Sequence, residues 1–348
     1  MRVTNKMLSN NFLADMKANL ENVNKIQQQN TSGKKFRKPS DDPFAVARSM
    51  QLHTDINTNK QYSKNITDVS NWLDTTDTAL GQAGDVLQRV RELLITSGNG
   101  GYTKSERRAI KDEINEKIGE MSQILNTNFS GNYIFGGTRS TTKPMDVSKN
   151  DDGNVSLNYI SKDGRQYNID NSKKPIQIEA VDKKPLDKTL VELVKDEYNQ
   201  ITSRLKVEVS QGVTMDYNVT ATDVLEFKNE AGDSINVANL FKDITTHLDS
   251  EDPKEINKLI GEDLTKVSDT ISNLLKIRAE VGAKQNRIEG AEDRNKDGTF
   301  NMTKILSKHE DVNYTENMTN YATMLTVYMA SLQTSAKIIQ PSLMDYLR

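Results

Sequence analysis

Few side chains in this sequence have the type and spacing that a catalytic or metal site requires. The three histidines are His53, His247 and His309, and none lies in a metal-ligand pair or beside a serine in a nucleophile motif. Cysteine is absent, which excludes disulfides, thiolate metal ligands and cysteine nucleophiles. We therefore interpret the histidines as surface or helix-face residues, and we expect neither an enzyme nor a bound cofactor.

One segment resembles the start of a calcium-binding loop. Asp293-Arg-Asn295-Lys-Asp297-Gly298 matches the opening positions of an EF-hand loop. The bidentate carboxylate of such a loop belongs at position 12, where this chain has Lys304. Because a cation replaces the most important ligand, we interpret residues 293–298 as a turn and expect no metal there.

A short basic cluster, Lys34-Lys35-Phe36-Arg37-Lys38, is a candidate for binding nucleic acid. The formal net charge of the whole chain is −3, so this single patch would supply few phosphate contacts. We interpret the cluster as a solvated linker and expect no nucleic-acid partner. The glycine-rich segment 98–101 lacks the lysine of a nucleotide-binding loop and follows a predicted helix rather than a strand.

The composition favours a molecule with much surface per residue. Hydrophobic residues make up 35% and charged residues 27% of the 348 positions, which suits an elongated protein better than one large core. No apolar stretch approaches the roughly 18–20 residues of a membrane span. The N-terminal segment lacks the apolar region of a cleavable signal peptide. Sequence physics alone therefore predicts a cytosolic protein.

Apolar residues spaced three and four apart predict long helices. Residues 44–97 are predicted as one helix, because an acidic cap and Pro43 precede an apolar seam that runs from Ile66 to Leu94. A second helix is predicted from Thr103, which forms a capping box with Glu106.

A third long helix is predicted from Asp252 and Pro253, with an apolar seam from Ile260 to Ile288 that Arg278 and Gln285 interrupt. Residues 291–304 are predicted as a polar break before a C-terminal helix, which Pro341 should kink or interrupt.

The residues between these helices alternate in polarity or carry β-branched side chains, which is typical of strands. The predicted strands are Asn154–Ile160, Arg165–Ile169, Ile176–Val181, Leu205–Val209 and Val213–Val219, and a short helix is expected near Val237–Leu248.

Both chain ends carry an apolar seam whose spacing averages 3.5 residues, the period of a coiled coil. Its positions, which we predict to bind partners during assembly, are Leu13, Met16, Leu20 and Val23 at one end and Met318, Leu325, Met329, Leu332, Ile339, Leu343 and Tyr346 at the other. The alternative is an ordinary helical-bundle core. We favour intermolecular contacts because a polar break separates each terminal seam from the long helices, and the short N-terminal seam would be marginal alone.

These elements predict an α+β fold, in which an elongated helical coiled-coil rod formed by both chain ends carries an inserted mainly-β domain. The predicted domains are terminal coiled-coil segments 1–43 and 305–348, a helical rod of 44–140 and 250–304, and a mainly-β outer domain of 141–249.

Three segments resemble the terminal signatures of the bacterial flagellin superfamily. They are Thr31-Ser-Gly33, the following Pro39-Ser-Asp41-Asp42-Pro43, and Val281-Gly-Ala-Lys-Gln285-Asn-Arg287. The resemblance covers residues 1–140 and 255–348 in the right order. The Pro-Ser-Asp-Asp-Pro form, Asn132-Tyr-Ile-Phe-Gly136-Gly137 and Pro341-Ser-Leu-Met-Asp345-Tyr346-Leu347 resemble the members that join the hook to the filament.

The resemblance implies a structural protein of the bacterial flagellum, exported unfolded through the flagellar type III channel. It would lie outside the cell after a transient stay in the cytoplasm, with terminal segments that are disordered until assembly. The implied partners are hook-associated protein 1, flagellin and copies of the chain itself. A cytosolic export chaperone is also implied, and we place it on Leu325, Met329, Leu332 and Ile339 of the C-terminal helix.

Two other functions compete with a junction protein. A flagellin filament subunit would carry the same terminal seams. A secreted coiled-coil surface adhesin would bind a receptor through residues 141–250. An enzyme ranks last, because no constellation of residues nominates an active site.

Overall fold

The predicted α+β class is confirmed over the residues that the computed structural model describes, which are 5–98, 103–150, 153–170, 177–181 and 188–338. The helices are α1 (Asn5–Ser32), α2 (Pro43–Ser97), α3 (Lys104–Leu125), α4 (Lys188–Thr202), α5 (Ala221–Leu225), α6 (Val237–Asp249), α7 (Pro253–Lys258), α8 (Leu264–Glu310) and α9 (Tyr314–Ile338). The strands are β1 (Asn128–Phe129), β2 (Asn132–Tyr133), β3 (Met145–Lys149), β4 (Val155–Ile160), β5 (Gln166–Asp170), β6 (Gln177–Ala180), β7 (Lys206–Ser210), β8 (Val213–Asp216), β9 (Glu226–Lys228) and β10 (Ser234–Asn236).

The chain divides into two units. The first, here called the terminal unit, comprises Met1–Gln61 and Lys296–Arg348. The second, the central unit, comprises Tyr62–Asn295. The long helices α2 and α8 each contribute residues to both units.

The core of the central unit is built on the predicted seam of α2. Ile66, Leu73, Leu80, Leu87 and Leu94 are fully buried, as the spacing of three and four predicts. Each such side chain stabilises the fold by about 1.5–3 kcal/mol through its removal from water. The seam therefore belongs to the interior of this unit.

The helix that follows begins where its capping box predicts. The backbone N–H of Thr103 donates to the Glu106 carboxylate over 2.6 Å. The apolar face of α3, which includes Ile114 and Ile118, is buried in the same core as the α2 seam. The predicted start of this helix is thus confirmed.

The third long helix contains an irregularity that the sequence does not predict. A π-helical turn, Leu259–Asp263, joins α7 to α8. Because a π turn adds a residue to the helical repeat, it displaces Ile260 from the predicted seam. Ile260 is exposed and Leu259 is buried in its place. The later seam positions Val267 and Val281 are buried as predicted.

The predicted polar break at residues 291–304 and the predicted turn at 293–298 are both wrong. Helix α8 continues without interruption to Glu310. The helix is maintained because Leu306 packs against Leu52 and Ile56 of α2, with Met302 beside them. Polar residues on the other faces of a helix do not break it. A helical segment also lacks the loop geometry of an EF-hand site.

A four-stranded antiparallel sheet in the order β3-β4-β5-β6 forms the largest β element of the described chain. Tyr159 pairs with Tyr167 across β4 and β5, and the side chains of both are buried. Antiparallel pairs β7–β8 and β9–β10 complete the region. Most of the strands were therefore predicted in the right part of the chain, but β1, β2, β3, β9 and β10 were missed, and β8 ends at Asp216, before the predicted end.

Helix α4 was also missed. Its buried residues Val194, Tyr198 and Ile201 follow helical spacing of four and three. The prediction of a mainly-β insertion passed over this signal because strands and turns surround it. The predicted short helix near residues 237–248 is present as α6.

Gly137 packs tightly against the C-terminal end of α4. Gly137 has a φ of +61°, and a Cβ atom there would lie 2.2 Å from the carbonyl oxygen of Ile201. The next residue, Thr138, donates its backbone N–H to the carbonyl of Gln200 over 2.9 Å. Glycine is required at 137 both for its backbone conformation and for this close approach.

Candidate assembly surface

The N-terminal seam lies along α1 and is partly covered. Val23 is buried, with 6% of its surface exposed, and Met16 is half-buried. Leu13 and Leu20 are 45% and 40% exposed. Helix α1 packs against α9, so this pairing covers one part of the seam and leaves the other part in water.

The C-terminal seam on α9 is more exposed. Met318, Met329 and Leu332 are 55%, 50% and 43% exposed, whereas Leu325 is half-buried. The other predicted positions, Ile339, Leu343 and Tyr346, lie outside the described residues, as does Pro341.

Several other exposed apolar residues of the terminal unit were not predicted as part of the surface. Phe44 and Met50 lie on α2, and Phe300 and Ile305 lie on α8. Phe44 is the most exposed of them, at 89%. These residues lie outside the predicted apolar seams, so the seams do not reveal them.

Exposed apolar side chains concentrate in the terminal unit. Of the seventeen exposed large hydrophobic residues in the described parts of the chain, twelve belong to it. They are Met7, Leu13, Leu20, Phe44, Met50, Phe300, Ile305, Tyr314, Met318, Val327, Met329 and Leu332. Its buried apolar residues, over the same described ranges, are Val23, Leu52, Ile56 and Leu306. Such an excess of exposed over buried apolar surface is typical of an interaction surface.

Polar contacts join the two connectors of the terminal unit, where residues 33–36 meet residues 308–314. We call this the connector clamp. The backbone N–H of Lys35 donates to the carbonyl of Glu310 over 2.6 Å, and that of Val312 donates to the carbonyl of Gly33 over 3.0 Å. The Lys34 ammonium lies 2.7 Å from a carboxylate oxygen of Glu310 and 2.7 Å from one of Asp311.

The basic cluster lies in a connector with exposed side chains, as interpreted, but its first two residues also form contacts that the sequence did not predict. Lys34 forms the ion pairs just described, and the Lys35 ammonium donates to the carbonyl of Lys308 over 2.7 Å. Sequence reasoning missed these contacts because their partners are more than 270 positions away in the chain.

The ion pairs of the clamp shift the pKa values of their members in opposite directions. Hydrogen bonds to Asp311 and Glu310 raise the pKa of Lys34 above its usual value. The hydrogen bond from Lys34, followed by that from Ser307, lowers the pKa of Asp311. Both shifts favour the charged forms, so the clamp is an electrostatic contact.

Two of the histidines lie beside this clamp. His53 Nε2 is 3.0 Å from a Glu310 carboxylate oxygen, and His309 Nε2 is 3.0 Å from the carbonyl oxygen of Ala45. The His309 ring also meets Phe36 edge to face, with 5.6 Å between ring centroids.

The third histidine lies in the central unit between two carboxylates. His247 Nδ1 is 2.6 Å from Asp263, and its Nε2 is 3.1 Å from Glu255. Burial raises the pKa of Asp263, and the contact with His247 opposes that shift. The two contacts join the end of α6 to the π turn and to α7.

Over the described ranges, no three side chains of histidine, aspartate or glutamate are arranged to hold a metal ion. In those same ranges, no helix is both long and apolar enough to cross a bilayer.

Models of two families match the chain. The model of the bacterial flagellin N-terminal helical region matches residues 3–140, and that of the C-terminal helical region matches residues 264–347. The matched regions contain α1 to α3 at one end and α8 with α9 at the other.

Known proteins resemble the chain to different extents. Flagellin of Clostridium tyrobutyricum is 29% identical over 163 residues, which is 45% of this chain and 43% of that protein, so the match spans less than half of that relative. Flagellar hook-associated protein 3 of Escherichia coli K12 is 22% identical over 310 residues, or 88% of this chain and 87% of that protein. A solved structure described as a flagellar hook-associated protein from Vibrio parahaemolyticus shares the fold, with a TM-score of 0.57 and 19% identity over 78% of this chain and 100% of that one.

Proposed function

We propose that this chain, which belongs to the bacterial flagellin family, is a structural protein that joins the flagellar hook to the filament. The observation that carries an assembly role is the exposed apolar surface of the terminal unit, with its four buried apolar residues among those described. The match to hook-associated protein 3 over most of both chains supports the junction role.

The exposed seams would be covered by neighbouring subunits. An isolated pair of helices with little buried apolar surface is marginal in water, so contacts with neighbours complete its stability. A junction needs head-to-tail contacts with different partners on its two sides. We propose hook-associated protein 1 on one side and flagellin on the other, with copies of this chain around the ring.

The seam residues supply the proposed contacts. They are Leu13, Met16, Leu20 and Val23 with Met318, Leu325, Met329, Leu332, Ile339, Leu343 and Tyr346. An export chaperone in the cytoplasm would cover Leu325, Met329, Leu332 and Ile339 before export, as an apolar helix face lying in a groove.

The three predicted domains would then have different roles. Segments 1–43 and 305–348 would complete their folding during assembly, after export through the flagellar type III channel. Residues 44–140 and 250–304 would form the rod, and residues 141–249 would face outward. The chain would act outside the cell as a structural component and not as an enzyme.

Deletion of the gene separates this proposal from its alternatives. Without a junction protein, hooks should remain while flagellin made by its own gene is released into the medium. The match to a flagellin also allows the chain to be a filament subunit. In that case its deletion should remove the filament protein itself, so the medium should contain none of it. The purified chain should then also polymerise readily. Normal motility after deletion would contradict both and favour a surface adhesin.

A further inference from the structure

We propose that the helix formed by α7, the π turn and α8 has two accessible registers, and that His247 selects the observed one by joining Glu255 to Asp263 across the π turn. In this role His247 is a positioning residue. The inference goes beyond the proposed function, because it concerns a helix of the central unit and holds whether or not the chain lies at a junction.

The sequence of this helix fits two buried faces. One is the predicted seam, which a regular α-helix would bury, and its positions are Ile260, Leu264, Val267, Ile271 and Leu274. The other is the observed set of buried residues, Leu259, Asp263, Val267, Thr270 and Leu274. Val267 and Leu274 belong to both. The registers therefore differ in which of Leu259 and Ile260 is buried before α8 begins.

The spacing of Glu255 and Asp263 shows what the π turn changes. In a regular α-helix, residues eight apart point about 80° away from each other, whereas residues seven apart lie within about 20°. The π turn contributes one extra residue, so a spacing of eight places the two carboxylates on one face. There His247 contacts both, with Nε2 3.1 Å from Glu255 and Nδ1 2.6 Å from Asp263. A regular α-helix would turn Glu255 away from the ring.

Asp263 holds the histidine in place. Its side chain is 1% exposed, and its Oδ1 has no hydrogen-bond partner among the described residues. Without His247 this buried carboxylate would be uncompensated, so we expect the contact between the two in both registers. Glu255, whose side chain is 34% exposed, can reach the ring only when the π turn is present. The contact with Glu255 is thus the one that distinguishes the registers.

Other charged groups lie near the cluster but do not bridge the turn in the same way. Lys258 forms hydrogen bonds with Glu255 within α7, over 2.9 and 3.1 Å. Lys266 on α8 and Asp243 on α6 interact electrostatically with Asp263. Of these described groups, only His247 lies within hydrogen-bond distance of a carboxylate on each side of the turn.

The register matters for the surface that this part of the chain presents. Helix α6 ends at Asp249, where the predicted outer domain ends and the predicted rod resumes. In the observed register Ile260 is 42% exposed and Leu259 is fully buried. In the other register Leu259 would be exposed and Ile260 buried, so His247 determines which apolar side chain faces solvent.

Thiol labelling of the full-length chain tests the proposal, because the sequence contains no other cysteine. Leu259→Cys places a probe at a buried position, and a buried thiol reacts in proportion to the fraction of molecules that expose it. Val267→Cys, at a position buried in both registers, measures general opening of the helix. Melting followed by the fluorescence of Trp72, the single tryptophan and a buried residue of the central unit, confirms that each variant is folded.

Glu255→Ala removes the contact that distinguishes the registers. It should raise the labelling rate of Leu259→Cys about two- to fivefold, as expected for the loss of one partly exposed ion pair, and leave that of Val267→Cys unchanged. In a His247→Gln background it should have no further effect, because the ring that it contacts is gone. Glu262→Ala is the matched control, because it removes the same charge from an exposed position of the π turn.

Deletion of Gly261 supplies a second test. Gly261 is exposed, and a Cβ atom there would meet no neighbouring element within 4 Å, so the turn can lose this residue without disturbing a contact. In the shortened helix Leu259 and Val267 are seven residues apart, so regular α-helical geometry buries both. Glu255→Ala should then no longer change the labelling rate of Leu259→Cys.

Two results would overturn the proposal. One is a labelling rate of Leu259→Cys that Glu255→Ala raises no more than Glu262→Ala does. The other is an effect of Glu255→Ala that persists after deletion of Gly261 or appears equally at Val267→Cys, since Glu255 would then support the helix in general. A selective rise at residue 259 that the deletion abolishes would support the proposal.

Discussion

Arg278 on α8 donates two hydrogen bonds to the carboxylate of Asp77 on α2, over 3.0 and 3.1 Å, although 201 positions separate them in the chain. A second polar residue of the α8 seam, Gln285, donates to Asp74 over 2.8 Å. Polar residues that interrupt an apolar seam can define register, because an offset pairing would leave them opposite apolar side chains. The two contacts thus specify how the antiparallel helices of the central unit align.

The pair of Arg278 and Asp77 should therefore show coupling. Both side chains are more than a third exposed, so Arg278→Lys should destabilise the central unit by no more than about 0.5–1 kcal/mol through loss of the bidentate geometry. Asp77→Asn should cost a similar amount. Urea unfolding followed by Trp72 fluorescence measures the free energy of unfolding of each variant. If the effects of the two substitutions simply add in the double variant, the two residues do not act together.

A core substitution in the same unit should have a much larger effect. Leu87 is fully buried, so Leu87→Ala should destabilise the central unit by about 2–5 kcal/mol through lost burial and a residual cavity. Met329→Ala, a truncation at a half-exposed position of α9, is the control. It should change the free energy of unfolding reported by Trp72 by less than about 0.5 kcal/mol. Equal effects would contradict the assignment of the α2 seam to a core and of Met329 to a surface.

Gly137 should tolerate no side chain. Gly137→Ala places a methyl group against the carbonyl of Ile201 at a backbone φ of +61°. The strain of that conformation costs about 1 kcal/mol by itself, and the collision with backbone adds to it. Gly153→Ala is the matched control, because Gly153 also has positive φ but faces open space. Thermal melting of the two variants measures the difference in their stability. Equal melting temperatures would show that α4 can shift away from residue 137 at little cost.

The clamp should depend on pH in a defined window. The pKa of Asp311 is held below its usual 3.8, so its contribution is complete above that value and is lost as pH falls through the lowered pKa. The pKa of Lys34 is raised above 10.5, so its contribution is complete below 10.5 and is lost as pH rises through the raised pKa. Glu310 and Asp311 face Lys34, whereas Ser307 and Lys35 lie near Asp311.

The ion pairs of the clamp in the assembled chain should accordingly persist between pH 3.8 and 10.5. NMR titration of the Lys34 and Asp311 side chains in the assembled chain checks this. Titration of either side chain within that window would show that the two do not pair.

The sequence predicted the long helices well because their signals are local. A seam of residues spaced three and four apart runs through α2, and the box of Thr103 and Glu106 caps α3. Both signals can be read within a few turns of helix. Similar reasoning predicted where the strands would lie, since alternation is also a local pattern.

Contacts between distant residues were beyond such reasoning. The break predicted at residues 291–304 failed because the packing of Leu306 on α2 maintains α8 through its polar stretch. The ion pairs of Lys34 were missed because their partners, Glu310 and Asp311, lie near the other end of the chain. At the assembly surface, Met318 and Met329 followed from the seam, whereas Phe44 and Phe300 have no periodic neighbours that would have revealed them.

The most direct test of the account replaces one exposed seam residue by a charge and follows incorporation into flagella. Leu332 is 43% exposed on α9, and Thr334 is an exposed polar residue of the same helix for a matched control. Hooks are isolated from cells that express each variant, and the amount of this chain at their tips is measured. We expect Leu332→Asp to be missing from the tips and Thr334→Asp to be present, with the same Trp72 transition in both. Normal incorporation of Leu332→Asp would contradict the claim that neighbouring subunits cover this surface.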